Sequence, residues 1–143
     1  MKNVRPTRLV ACLCLLALVL SVTVACGNAA TEDVWKNAVC TSDTECGNGE
    51  KTLTVRVEAS DRAVTFTVHT DGKTVGDALL SCGLIDGDEG PYGLYVKTVN
   101  GITADYDVNG TYWGFFIGND MAPAGVDMTE IEEGITYRLV YTK

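Results

Sequence analysis

The sequence predicts an α+β fold, because a β-hairpin, one helix and a series of later strands follow one another along the chain. Apolar and polar residues alternate over residues 53–58 and again over residues 64–69, with a short turn between them. A period of two is typical of strands that bury one face. A helix between such a hairpin and later strands is expected to pack across one face of the sheet.

The helix is predicted to begin after Thr74. Asp77 lies three residues further on, which is a variant of the capping box. Gly83 is expected to end the helix. The apolar stripe at helical spacing consists of Val75, Ala78, Leu79 and Cys82.

The second half of the chain is predicted to add strands to the hairpin. Residues 85–91 are acidic and are expected to form a loop, and Asn100-Gly101 is a strong hairpin-turn signal. Strands are predicted over residues 92–99, 112–117 and 135–141. Two strands, a helix and further antiparallel strands fit a β-grasp arrangement.

The first 25 residues are predicted to be an export signal. Three basic residues precede a run without charge at residues 9–25, and the small residue Ala25 comes before Cys26. The segment at residues 23–26 resembles the lipobox of bacterial lipoproteins, in which the cysteine is lipidated and becomes the first residue. This resemblance implies a lipid anchor at Cys26 on the extracytoplasmic face of the cell membrane. The alternatives are ordinary cleavage and an uncleaved anchor.

Residues 26–50 are predicted to be a polar tether, and residues 51–143 the folded domain. An exported protein can keep disulfides. Cys40 and Cys46 are the predicted pair, because the segment between them is short and turn-forming. Cys82 is expected to be a free thiol on the apolar side of the helix.

Charge limits the possible partners. The chain has 19 acidic and 11 basic residues, and removal of the three basic residues in the signal leaves a net charge of −11. That charge gains nothing from displacing phosphate counterions, so nucleic acid is not expected as a partner. It also repels anionic lipid, so membrane contact requires the anchor.

Little in the sequence points to catalysis, and no catalytic residue or cofactor is predicted. His69 is the only histidine and lies on the polar face of a strand. Asp105, Asp107 and Asn109 resemble the first half of a calcium loop. The acid required at the twelfth position is replaced by Phe116. A plain β-turn is therefore the better interpretation, and no metal site is predicted.

Aromatic residues supply the main binding signal. Of 11 Phe, Trp and Tyr residues, nine follow residue 91. Residues 112–117 are apolar on both faces, whereas a strand with one solvent face needs only one. We predict that one face packs under the helix and that Trp113 faces outward to a ligand, with Tyr92 as its neighbour. The predicted ligand-binding residues are Tyr92, Tyr112, Trp113 and Phe115. Alternatively, the tether covers the second face.

Four segments resemble, in order, the transcobalamin-like C-terminal domain. They are the helix entry at residues 74–80, the hairpin at 92–101, the strand at 112–117 and the closing segment at 125–137. The resemblance implies a β-grasp-type domain, which in animal members forms the C-terminal half of cobalamin carriers. It therefore implies cobalamin or another corrinoid as the ligand.

Together these observations predict a monomeric, non-enzymatic lipoprotein that binds a corrinoid or another small molecule. A membrane transporter is the expected recipient of that ligand. The alternative is a surface module that contacts proteins or glycans and has no small-molecule ligand, since the same fold serves either purpose.

Overall fold

The computed structural model describes residues 32–143, of which residues 33–143 form one compact unit. The predicted export signal and the lipidation site Cys26 lie outside the described residues. In the described part of the chain, no helix is long and apolar enough to cross a membrane.

Residues 32–143 form nine strands, two short α-helices and two 3₁₀ turns. The strands are β1 (Thr44–Asn48), β2 (Lys51–Ala59), β3 (Arg62–Thr70), β4 (Ile85–Gly90), β5 (Gly93–Val99), β6 (Ile102–Thr103), β7 (Tyr112–Ile117), β8 (Asp120–Met121) and β9 (Thr136–Thr142). The helices are α1 (Val75–Ser81) and α2 (Tyr106–Asn109), and the 3₁₀ turns are Val34–Asn37 and Val126–Met128.

Six strands form the main sheet, in the order β1-β3-β2-β9-β7-β8. The predicted hairpin is β2–β3, and β2 also pairs in parallel with β9. Alternate side chains of β2, β3 and β9 are buried, which gives the sheet one apolar face. The core of that face includes Val55, Val57, Phe66, Tyr137 and Leu139.

Helix α1 and a second sheet, in the order β4-β5-β6, complete the core. Thr74 Oγ1 accepts a hydrogen bond from Asp77 N, and Asp77 Oδ2 accepts one from Thr74 N, both at 3.1 Å. This is the predicted capping box. Helix α1 contacts β3, and β5 contacts β7. The α+β fold predicted from the sequence is thus confirmed.

The prediction of a loop over residues 85–91 is wrong, because residues 85–90 form β4 and pair with β5. Strand β4 lies at the edge of the second sheet and buries only its first residue, Ile85, so it has no apolar period. Its acidic residues discourage pairing with another chain at that edge. A bulge after Asp86 brings Gly87 so close to β5 that a Cβ there would lie 2.0 Å from Tyr95 O.

The N-terminal segment is part of the compact unit, although the folded domain was predicted to begin at residue 51. Trp35 is 3% exposed, and its Nε1 donates a hydrogen bond to Ala59 O at 2.8 Å. Cys40 N donates to Asn100 Oδ1 at 2.9 Å, and Asn100 Nδ2 donates to Cys40 O at 2.7 Å. Strand β1 then adds to the main sheet as an edge strand beside β3. Contacts remote in sequence therefore order this segment.

Candidate functional site

The β4–β5 hairpin presents the most exposed aromatic surface among the described residues. Its tip is Pro91-Tyr92, and the Tyr92 side chain is 92% exposed. Tyr95, on β5, is 41% exposed. Residues 90–95 line a pocket of about 400 Å³ around this tip.

The 3₁₀ turn Val126–Met128 supports the hairpin tip. Asp127 Oδ2 accepts a hydrogen bond from Leu94 N at 3.1 Å. Gly93 has φ of 101°, and a Cβ at this position would lie 2.6 Å from Asp127 Oδ2. Only glycine combines that backbone conformation with so close an approach. The tip is therefore a supported turn next to a carboxylate.

Lys97, on β5, forms ion pairs with two carboxylates. Lys97 Nζ lies 2.7 Å from Asp88 Oδ2 and 3.4 Å from Asp105 Oδ2. The hydrogen bond to Asp88 is the main reason why the pKa of Lys97 is raised. The same ammonium lies 5.9 Å from the centre of the Tyr95 ring. Tyr95 thus lies near a cation and also lines the tip pocket.

The aromatic strand β7 does not form the predicted platform around Trp113. Trp113 is only 7% exposed, so the prediction that it faces outward is wrong. It pairs in register with Tyr141, and the two rings meet edge to face at 5.5 Å. Trp113 Nε1 is buried and has no hydrogen-bond partner within residues 32–143. The indole is part of the core.

The other aromatic residues of β7 divide between the two faces of the sheet. Phe115 shares the core face and stacks on Tyr137 with ring centres 6.1 Å apart. Tyr112 is on the opposite face and is 36% exposed. The Arg138 guanidinium lies 5.3 Å from the centre of the Phe116 ring. The four predicted ligand-binding residues therefore lie in three places and do not make one site.

A second groove, of about 410 Å³, crosses the outer face of the main sheet. Arg138 Nε and Nη2 donate to Glu58 Oε1 and Oε2 at 2.7 and 3.1 Å, and Arg56 Nε donates to Glu58 Oε1 at 3.1 Å. The hydrogen bond from Arg138 is the main reason why the pKa of Glu58 is lowered. These bonds engage both oxygens of the carboxylate, and a groove lined by such paired charges is a weaker candidate for an apolar ligand.

The candidate calcium residues are engaged in local structure. Residues 106–109 form α2 where a plain turn was predicted, because Asp105 Oδ1 accepts from Asp107 N at 3.0 Å and caps the helix. Asn109 Oδ1 accepts from Thr111 N at 3.1 Å. Within residues 32–143, no group of three or more His, Cys, Asp or Glu residues is arranged to hold a metal ion.

His69 lies in a cross-strand polar network. Its Nε2 is 2.5 Å from Glu45 Oε1, and its Nδ1 is 3.1 Å from Thr52 Oγ1. Thr52 is its register partner on β2, and Glu45 lies on the neighbouring strand β1. The three side chains bridge adjacent strands on the polar face of the sheet.

The predicted Cys40–Cys46 disulfide is absent, since Cys40, Cys46 and Cys82 are all free thiols. The three cysteines nevertheless line one small pocket. Burial, a hydrogen bond with Cys82 and the nearby thiols raise the pKa of Cys46 to about 12. The fold therefore brings Cys82 to the cysteines of the N-terminal segment.

Two residues of the hairpin site, Tyr95 and Asp127, were not predicted from the sequence. The alternation along β5 is a signal that could have identified Tyr95. Leu94 and Val96 pack against the core, and Tyr95 and Lys97 alternate with them. No sequence signal identifies Asp127, since its contact with Leu94 joins residues 33 positions apart.

An α+β domain with an exposed aromatic hairpin is thus the class of protein that the structure defines. Residues 72–142 match the family described as Domain of unknown function (DUF4430). A protein of Ruminococcus gnavus, provisionally described as a metal binding protein, is 34% identical with a TM-score of 0.61. The match covers 66% of this chain and 98% of that protein. The chain belongs to the DUF4430 family.

The fold is also similar to that of haptocorrin, a transcobalamin-family protein whose structure was solved in complex with Cbi. The TM-score is 0.51 and the identity is 16%, so this likeness concerns the fold alone. The match covers 67% of this chain but only 26% of haptocorrin. Among proteins with curated functions, none matches this chain.

Proposed function

We propose that this protein is a non-enzymatic, lipid-anchored binding domain that holds a small planar ligand against the tip of the β4–β5 hairpin. A corrinoid is the first ligand to test, and a membrane transporter is the proposed recipient. The observation that carries the proposal is the supported, 92% exposed ring of Tyr92 beside an apolar pocket.

The physical properties of the tip support a ligand with a flat apolar face. Large aromatic rings contribute most of the contact energy at binding surfaces and stack on planar groups. The pocket volume of about 400 Å³ lies in the usual range for small-molecule sites. The bond from Leu94 N to Asp127 supports the backbone beside the ring, which reduces the ordering cost of binding.

The relatives support the choice of ligand at a coarse level. The fold is shared with haptocorrin, which was solved with Cbi bound. The R. gnavus relative is provisionally described as metal binding, and a corrinoid combines a planar ring with a metal ion. These likenesses make a corrinoid the first ligand to test. That this single domain binds the ligand by itself is part of the proposal.

Replacement of Tyr92 tests the proposed site. We expect Tyr92→Ala to weaken cobalamin binding about tenfold, which corresponds to about 1.4 kcal/mol. Tyr106→Ala is the matched control, because Tyr106 is 63% exposed on α2, and it should change the affinity less than twofold by comparison. Equilibrium dialysis of the purified chain against cobalamin measures both. Equal affinities for the two variants, or no cobalamin binding at all, would reject the corrinoid site.

Replacement of Cys26 tests the proposed anchor. Cys26→Ser should abolish incorporation of labelled fatty acid and release the protein from membranes, because the acidic chain has no charge attraction to anionic lipid. Membrane fractionation and labelling measure this. Retention of the unlabelled variant in membranes would instead indicate that residues 9–25 form an uncleaved anchor.

A contact module for proteins or glycans is the second candidate. It is favoured by the position of Tyr92, which projects from a turn and is not enclosed by a cleft. The dialysis experiment distinguishes the two functions when simple sugars replace cobalamin, because aromatic rings also stack on sugar faces. Sugar binding that depends on Tyr92 would favour this second function.

A further inference from the structure

Three cysteines from separate parts of the chain meet at one cavity. Cys40 belongs to the N-terminal segment, Cys46 to β1, and Cys82 is the residue that ends α1. All three line a space of about 90 Å³, together with Phe66 and Asn100. Each of the three is half-buried and not bridged to another cysteine. The tertiary fold therefore creates a cluster of thiols that no sequence motif predicts.

The register of β1 directs Cys46 toward the end of α1. Cys46 is the partner of Val68 in the parallel β1–β3 pair, and Val68 is completely buried. Residues paired across a sheet project from the same face. Helix α1 contacts β3, and the Cys82 thiol at its C-terminal end donates to Leu79 O at 3.5 Å. Cys46 and Cys82 thus both line the cavity, one from β1 and the other from the end of α1.

We infer that Cys46 and Cys82 form a disulfide when this protein meets a disulfide oxidant, and that the bond ties edge strand β1 to the end of α1. Cys40 is left out of the pair. The backbone N–H and C=O of Cys40 both form hydrogen bonds with the Asn100 side chain, which holds the backbone there in place. Cys46 lies on the core side of β1, as its register partner Val68 does on β3, and it lines the same cavity as Cys82 at the end of α1.

The reaction requires a two-electron oxidant, which we take to be oxidised glutathione or an exchange enzyme of the thioredoxin class. Cys82 loses its proton and attacks one sulfur of the oxidant, and the other sulfur leaves as a thiolate. Cys46 then loses its proton and attacks Cys82 Sγ, which displaces the second oxidant sulfur. The two cysteines lose two electrons and two protons, and the oxidant gains them as two thiols. Because the pKa of Cys46 is raised, the first attack falls to Cys82.

Peptide mapping tests the pairing. The chain is recovered from membranes with its free thiols blocked by N-ethylmaleimide. A second sample is first reduced, freed of reductant and treated with oxidised glutathione. Glu45 lies between Cys40 and Cys46, and Lys51 and Lys73 lie between Cys46 and Cys82. Cleavage after glutamate and lysine therefore places the three cysteines on separate peptides.

A Cys46–Cys82 peptide pair in the glutathione-treated sample, two hydrogens lighter than the sum of its parts, is the expected result. Cys40→Ser should keep this pair, and Cys82→Ser should lose it. A pair that contains Cys40, or three blocked thiols after oxidation, would overturn the inference. The inference depends on the proposed export only for the oxidising environment in which the disulfide would form. Free thiols in the recovered sample with a Cys46–Cys82 pair after glutathione would support the pairing and contradict export.

Discussion

Replacement of Trp113 by alanine is expected to lower the free energy of unfolding by about 3–5 kcal/mol, as large-to-small changes in a core do. The indole is 7% exposed and packs edge to face on Tyr141. Tyr112→Ala is the matched control, because Tyr112 is the adjacent residue on the opposite face and is 36% exposed. We expect the control to cost less than about 1 kcal/mol.

Urea denaturation of the two variants measures this difference. Similar midpoints for the Trp113 and Tyr112 variants would contradict the assignment of faces on β7. A destabilised Trp113 variant would also remove this residue from the set that contacts a ligand directly. The binding hypothesis would then rest on the β4–β5 hairpin, where Tyr92 is independent of the core.

Replacement of Trp35 by alanine is expected to cost a similar amount, about 3–5 kcal/mol, although this residue precedes the domain predicted from sequence. Its ring is 3% exposed, packs in the core cluster, and lies 4.8 Å below the Arg62 guanidinium. Trp35→Phe keeps much of the apolar volume but removes the bond to Ala59 O. We expect that variant to cost about 1–2 kcal/mol.

Val39→Ala is the control for the N-terminal segment, because the Val39 side chain is 80% exposed. Denaturant midpoints of the three variants measure the effect. If the Trp35→Ala variant is as stable as the Val39→Ala variant, residues 33–43 do not contribute to the stability of the unit. The predicted boundary at residue 51 would then describe the stable domain better than the structure does.

Local patterns were sufficient for the elements whose determinants are close in sequence. The β2–β3 hairpin follows from alternation over a few residues, and α1 follows from Thr74 and Asp77 at its start. The Asn100-Gly101 turn joins β5 to β6 as predicted, with positive φ at both residues. In each case the stabilising contacts span only a few residues, so a sequence window contains them.

The candidate site was only partly predictable. Tyr92 was predicted as the neighbour of Trp113, but its exposure comes from the hairpin that β4 makes with β5. Strand β4 has no apolar alternation, because it lies at a sheet edge with its acidic residues toward solvent. The support from Asp127 depends on a loop that is brought beneath the hairpin only by folding.

The sequence by itself determined the α+β class, the hairpin, the helix and the residues of β7 that share a face. Only the tertiary structure decided which face of β7 is buried, because both faces are apolar and the choice follows from its pairing with β9. The tertiary structure also decided that Trp35 packs in the core and that Cys46 and Cys82 line one cavity. Local periodicity specifies which side chains point together, whereas contacts between distant segments depend on how the whole chain closes around its core.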